Sequence, residues 1–202
     1  MTFPLERPAR LAVFASGRGS NLRSLIKAFP PADPLASVKL LISNRRSAGA
    51  LSLAQSLSIP AYALPFGSDR EHFERQADVL LQKFHIDLIC LAGFMRVLSP
   101  EFTARWRGRL LNIHPSLLPA FPGLHAQRQA LSAGVQESGC TVHFVDAGVD
   151  TGEAIVQRRV PVLVGDTEAT LAERILVEEH RAYPEAVRRV LTGRVQANEK
   201  VL

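Results

Sequence analysis

Asp87-Leu88-Ile89-Cys90-Leu91-Ala92 is an apolar run without polar alternation, closed at once by Gly93. A strand that lacks alternation has both faces covered, as in a parallel sheet sandwiched between helices. The segments upstream repeat the theme. Residues 11–15 form a short apolar run ending in Ser16-Gly17, and a helical pattern follows from Asn21 to residue 28. Residues 38–43 read as a second strand, Ser47 as the cap of a helix reaching residue 57, and residues 59–64 as a third strand. Ser68-Asp69-Arg70-Glu71 resembles a capping box that opens a helix running to residue 84. This β-α-β-α-β-α-β order predicts parallel strands joined by right-handed crossovers.

Downstream the character changes. Residues 110–114 and 141–145 read as strands, with a helix near residues 125–133 between them. Residues 155–162 form another strand, close enough to the previous one to pair antiparallel. Residues 167–191 make a long amphipathic helix, kinked or interrupted at Pro184. No repeat, low-complexity tract or linker breaks the chain. The expected fold is α/β, a single domain over residues 1–202. Its mainly parallel twisted sheet has helices on both faces and antiparallel strands toward the C-terminal part.

Composition narrows the function classes. At 202 residues, with 47% hydrophobic and 21% charged, the chain can bury one sizeable core. No apolar stretch approaches the roughly 18–20 residues of a membrane span, and the first ten residues hold no signal-peptide core. A cytoplasmic protein is expected. Cys90 and Cys140 offer neither a disulfide framework nor metal-ligand spacing, and the six histidines show no paired-ligand pattern, so no metal is expected. A net charge of +5 favours anionic partners. The cations are scattered, with short clusters at Arg105/Arg107/Arg109 and Arg188-Arg189, and aromatics are few. Small anionic substrates therefore fit better than nucleic acid.

Four segments carry candidate chemistry. Asn112-Ile113-His114 ends a strand just before Pro115, and residues two apart share a strand face, so amide and imidazole can reach one spot. An ordinary strand-to-loop junction would look the same. Ser16-Gly17-Arg18-Gly19-Ser20-Asn21-Leu22 opens a helix, where free N–H groups suit a phosphate. The third glycine of a dinucleotide fingerprint and the lysine of a P-loop are missing. A phosphomonoester fits better than a nucleotide; a plain capped βα turn is the alternative. Gly93-Phe94-Met95-Arg96-Val97-Leu98 lies at the same sheet edge, either lining a pocket for a flat heterocycle or serving as core. Asp146-Ala147-Gly148-Val149-Asp150-Thr151-Gly152 is a turn-forming loop from which Asp150 can fold back onto His114. A carboxylate beside an imidazole favours the imidazolium and fixes its orientation, which suits oxyanion stabilisation and proton transfer. No nucleophile elbow is present and neither cysteine has a basic neighbour, so direct attack by a substrate amine fits better than a covalent acyl-enzyme.

Taken together, these segments resemble the phosphoribosylglycinamide formyltransferases, folate-dependent enzymes of purine biosynthesis. The resemblance rests on Gly19-Ser20-Asn21-Leu22, Ser43-Asn44, Leu91 through Pro100, Gly108 through Pro119, Pro122-Gly123-Leu124-His125, Thr141 through Val145 and Val149-Asp150-Thr151-Gly152. It extends from residue 11 to residue 191. It implies the formyltransferase fold, with 10-formyltetrahydrofolate as co-substrate. It also implies small-molecule substrates without nucleic acid or membrane, and leaves a homodimer open. Gly19, Ser20 and Asn21 would hold the ribonucleotide phosphate and Glu179 its ribose side. Arg70, Met95, Arg96, Val97, Leu98, Asp146, Ala147, Gly148 and Val149 would line the folate site. Asn112, His114 and Asp150 would be catalytic. Two positions depart from the pattern. Leu176 replaces a polar or basic side chain near the phosphate, for which Arg18 can compensate, and Glu153 replaces a proline after the Asp-x-Gly turn. The Leu118-Pro119 bond suits the cis form. The competing readings are another formyltransferase, a formyltetrahydrofolate hydrolase, and a non-catalytic binding module, for which all three catalytic residues would be superfluous.

Overall fold

The computed structural model describes residues 3–67 and 69–197. The strands are β1 (Ala9–Phe14), β2 (Ala36–Ser43), β3 (Ala61–Ala63), β4 (Leu88–Leu91), β5 (Leu110–His114), β6 (Glu137–Phe144) and β7 (Ala154–Pro161). They form a seven-stranded sheet in the order β3-β2-β1-β4-β5-β6-β7. The first five run parallel, and β6 and β7 pair antiparallel. The helices are α1 (Ser20–Ala28), α2 (Gly49–Ser56), α3 (Arg70–Lys83), α4 (Pro100–Arg105), α5 (Ala126–Ser132) and α6 (Glu168–Leu191).

Side chains that alternate along a strand serve opposite faces, and β1 shows this directly. Leu11 and Val13 enter a core with Leu22 and Leu25 of α1, Ala50 of α2 and Ile175 of α6. Ala12 and Phe14 enter a second core with Phe73 and Leu81 of α3 and Phe102 of α4. Both faces are therefore covered. The chain steps outward from β1 to β3, then α3 carries it back to β4 on the other side of β1. The loops after β1 and β4 consequently part at the carboxyl edge, which opens a crevice at the switch in strand order.

The observed elements follow the sequence expectations with physically readable differences. Ser47 is not the cap of α2; Ala48 occupies that position, with no side-chain cap. The helix start is satisfied by tertiary contact instead, because Ala50 N–H donates to Gly17 O at 3.0 Å. Ser68 of the expected capping box lies outside the described residues, and Asp69 caps α3 by accepting from His72 N–H at 2.8 Å. Helix α4 was not expected, although Ser99 caps it and Pro100 starts it; six residues are too few for a hydrophobic period to show. Strand β3 spans only Ala61–Ala63, whereas β6 begins at Glu137, earlier than its apolar run suggests. Leu118–Pro119 is cis.

Helix α6 is neither interrupted nor ended at Pro184. The hydroxyl of the preceding Tyr183, fully buried, bridges Leu91 O at 2.9 Å and Leu111 O at 3.2 Å. That contact docks the helix across β4 and β5, so tertiary packing offsets the hydrogen bond that proline cannot make. Tyr183→Phe should destabilise the fold by about 1 kcal/mol, the net worth of one buried hydrogen bond. Urea unfolding measures this, and an unchanged midpoint would remove the docking role.

Candidate active site

Strand β5 delivers Asn112 and His114 to the carboxyl edge, in register with His143 and Thr141 of antiparallel β6. His114 is 4% exposed. Its Nε2 lies 2.9 Å from Phe121 O, which anchors that side of the ring to backbone. Its Nδ1 lies 3.2 Å from Asp150 Oδ2. Both ring nitrogens thus face oxygen acceptors, and the doubly protonated ring is the form that donates to both. Nδ1 is the nitrogen turned toward the other site groups. The Asn112 Nδ2 amide donates to Asp150 Oδ1 at 3.4 Å and lies 3.2 Å from His143 Nε2. His143 Nδ1 lies 2.7 Å from Phe144 O. His143 Nε2 stands between Asn112 Nδ2 at 3.2 Å and Asp150 Oδ1 at 3.6 Å.

Asp150 arrives from the loop between β6 and β7 with φ 55, the left-handed region that Asp tolerates better than most residues. Two tertiary constraints place it. Gly152 packs so closely that any Cβ there would overlap the carbonyl oxygen of Phe144. Gly123 N–H donates to Asp150 Oδ2 at 2.8 Å from the far side. Burial alone would push this carboxyl upward. The His143 hydrogen bond, the Gly123 N–H and the charge of His114 together outweigh that cost and hold it below the ordinary carboxylate range. Within the same loop, Asp146 accepts from Gly148 N–H at 3.1 Å and Thr151 Oγ1 at 2.6 Å. Glu153 closes the turn through its backbone, its carbonyl accepting from Phe144 N–H at 2.9 Å.

The loop after β1 lines a cavity of about 280 Å³ with Arg45, Gly93, Met95, Leu176 and Glu179. Gly19 is left-handed at φ 87 and packs so tightly on α2 that an added Cβ would lie 2.9 Å from Ala50 Cα. This fold-back brings the first N–H groups of α1 to the cavity beside Ser20. Asn21 donates to Glu179 Oε2 at 2.7 Å, and its own Oδ1 is buried without a partner. Burial raises the Glu179 carboxyl, and the Asn21 hydrogen bond offsets this in part. The proposed ribonucleotide residues Gly19, Ser20, Asn21 and Glu179 therefore meet at one wall.

The loop after β4 is pinned at both ends. Ser16 Oγ accepts from Met95 N–H at 2.8 Å and donates to Asn44 Oδ1 at 2.6 Å. At the other end, the buried Glu74 of α3 accepts from Ser99 N–H and Ser99 Oγ, both at 2.6 Å. Between the pins Met95 and Val97 are 54% and 56% exposed. Arg96 lies over the Phe66 ring at 5.1 Å from its centroid. Arg70 is exposed at the start of α3, and Ala147, Gly148 and Val149 are exposed in the β6–β7 loop. Leu98 differs from its neighbours: its side chain is buried in the core shared with Phe94 and Phe102. The exposed apolar side chains suit a flat, partly apolar ligand, which fits the pterin-bearing donor that the family pattern implies.

Sequence reading overlooked His143, Glu74, Arg45 and the Ser16–Asn44 clasp. The first becomes visible only through antiparallel register with Asn112. A polar residue inside the apolar β6 run was the one signal available for it. Among the described residues, no group of three His, Cys, Asp or Glu could hold a metal ion.

Comparison with known proteins agrees with this geometry. The formyl transferase family model matches residues 9–187. The phosphoribosylglycinamide formyltransferase of Escherichia coli (strain K12) is 40% identical over 191 residues, 94% of this chain and 90% of that protein. The trifunctional purine biosynthetic protein adenosine-3 of Homo sapiens is 45% identical over 196 residues, 96% of this chain. The chain spans only 19% of that longer protein. The crystal structure of glycinamide ribonucleotide transformylase 1 from Symbiobacterium toebii superposes with a TM-score of 0.89 at 43% identity, covering 97% of this chain and 93% of that one. The pinned loops, the Asn112–His114–Asp150 convergence and this likeness over nearly the whole chain agree: the chain belongs to the formyl transferase family, alongside its phosphoribosylglycinamide formyltransferases.

Proposed function

We propose that the protein transfers the formyl group of 10-formyltetrahydrofolate to the amine of N1-(5-phosphoribosyl)glycinamide in purine biosynthesis. The observation that carries this reading is the meeting of Asn112, His114 and Asp150 beside a cavity built from a helix N-terminus. The donor supplies a formyl carbon and the ribonucleotide an attacking amine. As the amine adds, negative charge develops on the formyl oxygen. Asn112 Nδ2–H and His114 Nδ1–H, which both face Asp150 in this structure, are the donors that would turn to meet it. Asp150 balances the charge on His114, holds its ring, and takes part in moving the proton that the amine loses to N10 of the donor, so that the intermediate collapses with cleavage of the formyl C–N10 bond and tetrahydrofolate leaves. The carbonyl of Phe121 keeps the ring from turning away.

The folate side falls to Arg70, Met95, Arg96, Val97, Asp146, Ala147, Gly148 and Val149, with Leu98 contributing from beneath. The ribonucleotide side falls to Gly19, Ser20, Asn21 and Glu179. Small molecules are the expected partners, not nucleic acid or membrane; among the described residues no helix is long and apolar enough to cross one. Cys90 and Cys140 stand as buried free thiols, which supports a reducing, cytoplasmic compartment.

His114→Ala should lower turnover by about 10²–10⁴-fold, the usual contribution of one acid–base group. Ribonucleotide binding by calorimetry should persist, because His114 lies away from the Asn21–Glu179 wall. Unchanged turnover would remove the mechanism. Consumption of the formyl donor should depend on added ribonucleotide; equal release of formate without it would make the chain a hydrolase.

Asp150 also makes a pH prediction. Its folded pKa lies below the ordinary 3.8, so the ionised group stabilises the fold above that value, and the contribution is lost as pH falls through the folded value. Urea unfolding of wild type and Asp150→Asn should therefore show a stability difference at about pH 7 that shrinks toward about pH 3. Asparagine tolerates the left-handed backbone, which keeps the comparison clean. A difference that grows toward acid would contradict the assignment.

A further inference from the structure

The two backbone groups that hold the catalytic pair belong to one short strap, residues 116–124. Phe121 O faces His114 Nε2 at 2.9 Å, and Gly123 N–H donates to Asp150 Oδ2 at 2.8 Å. The chain is wound tightly here: Phe121, Gly123 and the following His125 lie in the left-handed region, with φ 55, 77 and 59. For a bulky residue such as Phe121 that conformation is costly, and it persists only where surrounding contacts over-determine the chain.

Those contacts divide the strap into two halves. The first is held by β6 and β7. Thr141 Oγ1 accepts from Leu118 N–H at 3.0 Å and donates to Ser116 O at 2.7 Å, while Gln157 Nε2 donates to Leu118 O at 2.7 Å. The second half is held from α5. Gln129 Nε2 donates to Pro122 O at 3.1 Å and to Leu124 O at 2.9 Å, and so brackets Gly123 on both sides. Two carbonyls can be met only by the NH2 end of a carboxamide, which settles how this side chain is turned. The bracket has a firm base, because Ala126 and Ala130 of the same helix are buried.

Resting on the function proposed above, we propose that Gln129 is a positioning residue for Asp150, acting through the Pro122–Gly123 peptide. Pro122 C=O and Gly123 N–H are the two ends of one planar unit and point in opposite directions. Holding the carbonyl therefore aims the N–H. A donor bonded to the carbonyl also polarises the peptide and strengthens the N–H on its far side. The run of bonds passes from Gln129 through this peptide to Asp150 Oδ2, and that oxygen is the one facing His114 Nδ1 at 3.2 Å. Gln129 thus acts at one remove from the chemistry. It sets where the carboxylate stands, and the carboxylate sets where the imidazole stands, so its loss belongs to kcat rather than to either KM.

Gln129→Met keeps the reach of the side chain and removes both donors, whereas Gln129→Lys keeps donors. In Gln129→Met, kcat should fall by about ten- to a hundredfold, as for a small misplacement of a catalytic group. Both KM values should stay nearly unchanged, and Gln129→Lys should recover part of the loss. In an Asp150→Asn background Gln129→Met should cost little more, because changes that act through one group are not additive. Lost packing alone would give the same factor in both backgrounds. In isotope-labelled protein the Gly123 amide proton resonance should move upfield in Gln129→Met, a readout independent of turnover. Unchanged kcat in Gln129→Met, an undiminished loss in the Asp150→Asn background, or a Gly123 resonance that stays in place would overturn the proposal. A shifted Gly123 resonance in a protein that transfers no formyl group would leave the Gln129 bracket standing and remove the parent function.

Discussion

The Asp150 carboxylate is the point on which the site turns, because it is held against its own desolvation. A carboxyl half withdrawn from water would ordinarily take up a proton. Here Gly123 N–H, His114, Asn112 and His143 converge on its two oxygens, and their combined effect keeps it ionised. Each of those partners is in turn oriented by backbone: His114 by Phe121 O and His143 by Phe144 O. The charge is therefore fixed in place before any substrate arrives, which is the condition under which electrostatic stabilisation is worth most. Its position depends on a loop that closes only because Gly152 carries no side chain.

A second organising feature is the switch in strand order between β1 and β4. Ser16 stands at that junction, its hydroxyl shared between Asn44 and the Met95 N–H. One buried serine thus ties together the ends of β1, β2 and β4, and with them the loop that opens α1 and the exposed Met95–Val97 surface. The two sides of the crevice have opposite chemistry. One is lined by amide N–H groups and arginines, the other by apolar side chains over the Phe66/Phe73/Phe94 cluster. The contrast suits an anionic group on one side and a flat, partly apolar group on the other. Glu74, buried and doubly bonded to Ser99, pins the far end of the apolar side.

Much of this was readable along the chain, for reasons of period and local chemistry. Unalternated apolar runs at residues 11–15 and 87–92 announce strands with both faces covered, and the spacing between them leaves room for crossover helices. Asn112 and His114 are two apart on a strand, so their shared direction follows from the pleat, and the glycines around Ser20 mark a backbone approach. Local rules failed where a tertiary partner replaced the local one. Ser47 looked like a cap, but the start of α2 bonds to Gly17 O instead. Pro184 looked like a break, but Tyr183 docks the helix onto β4 and β5. What the chain alone determined is the order of elements and the identity of the reactive groups, because both depend on residues close in sequence. What only the folded molecule decided is which distant groups share a site. The meeting of Asp150 with His114 could be expected along the chain and is found at 3.2 Å, but His143 meets Asn112 only through antiparallel register, and Arg45 reaches the cavity at the α1 N-terminus only beside the Ser16–Asn44 clasp. Such meetings are set by strand order and loop closure, which no local pattern encodes.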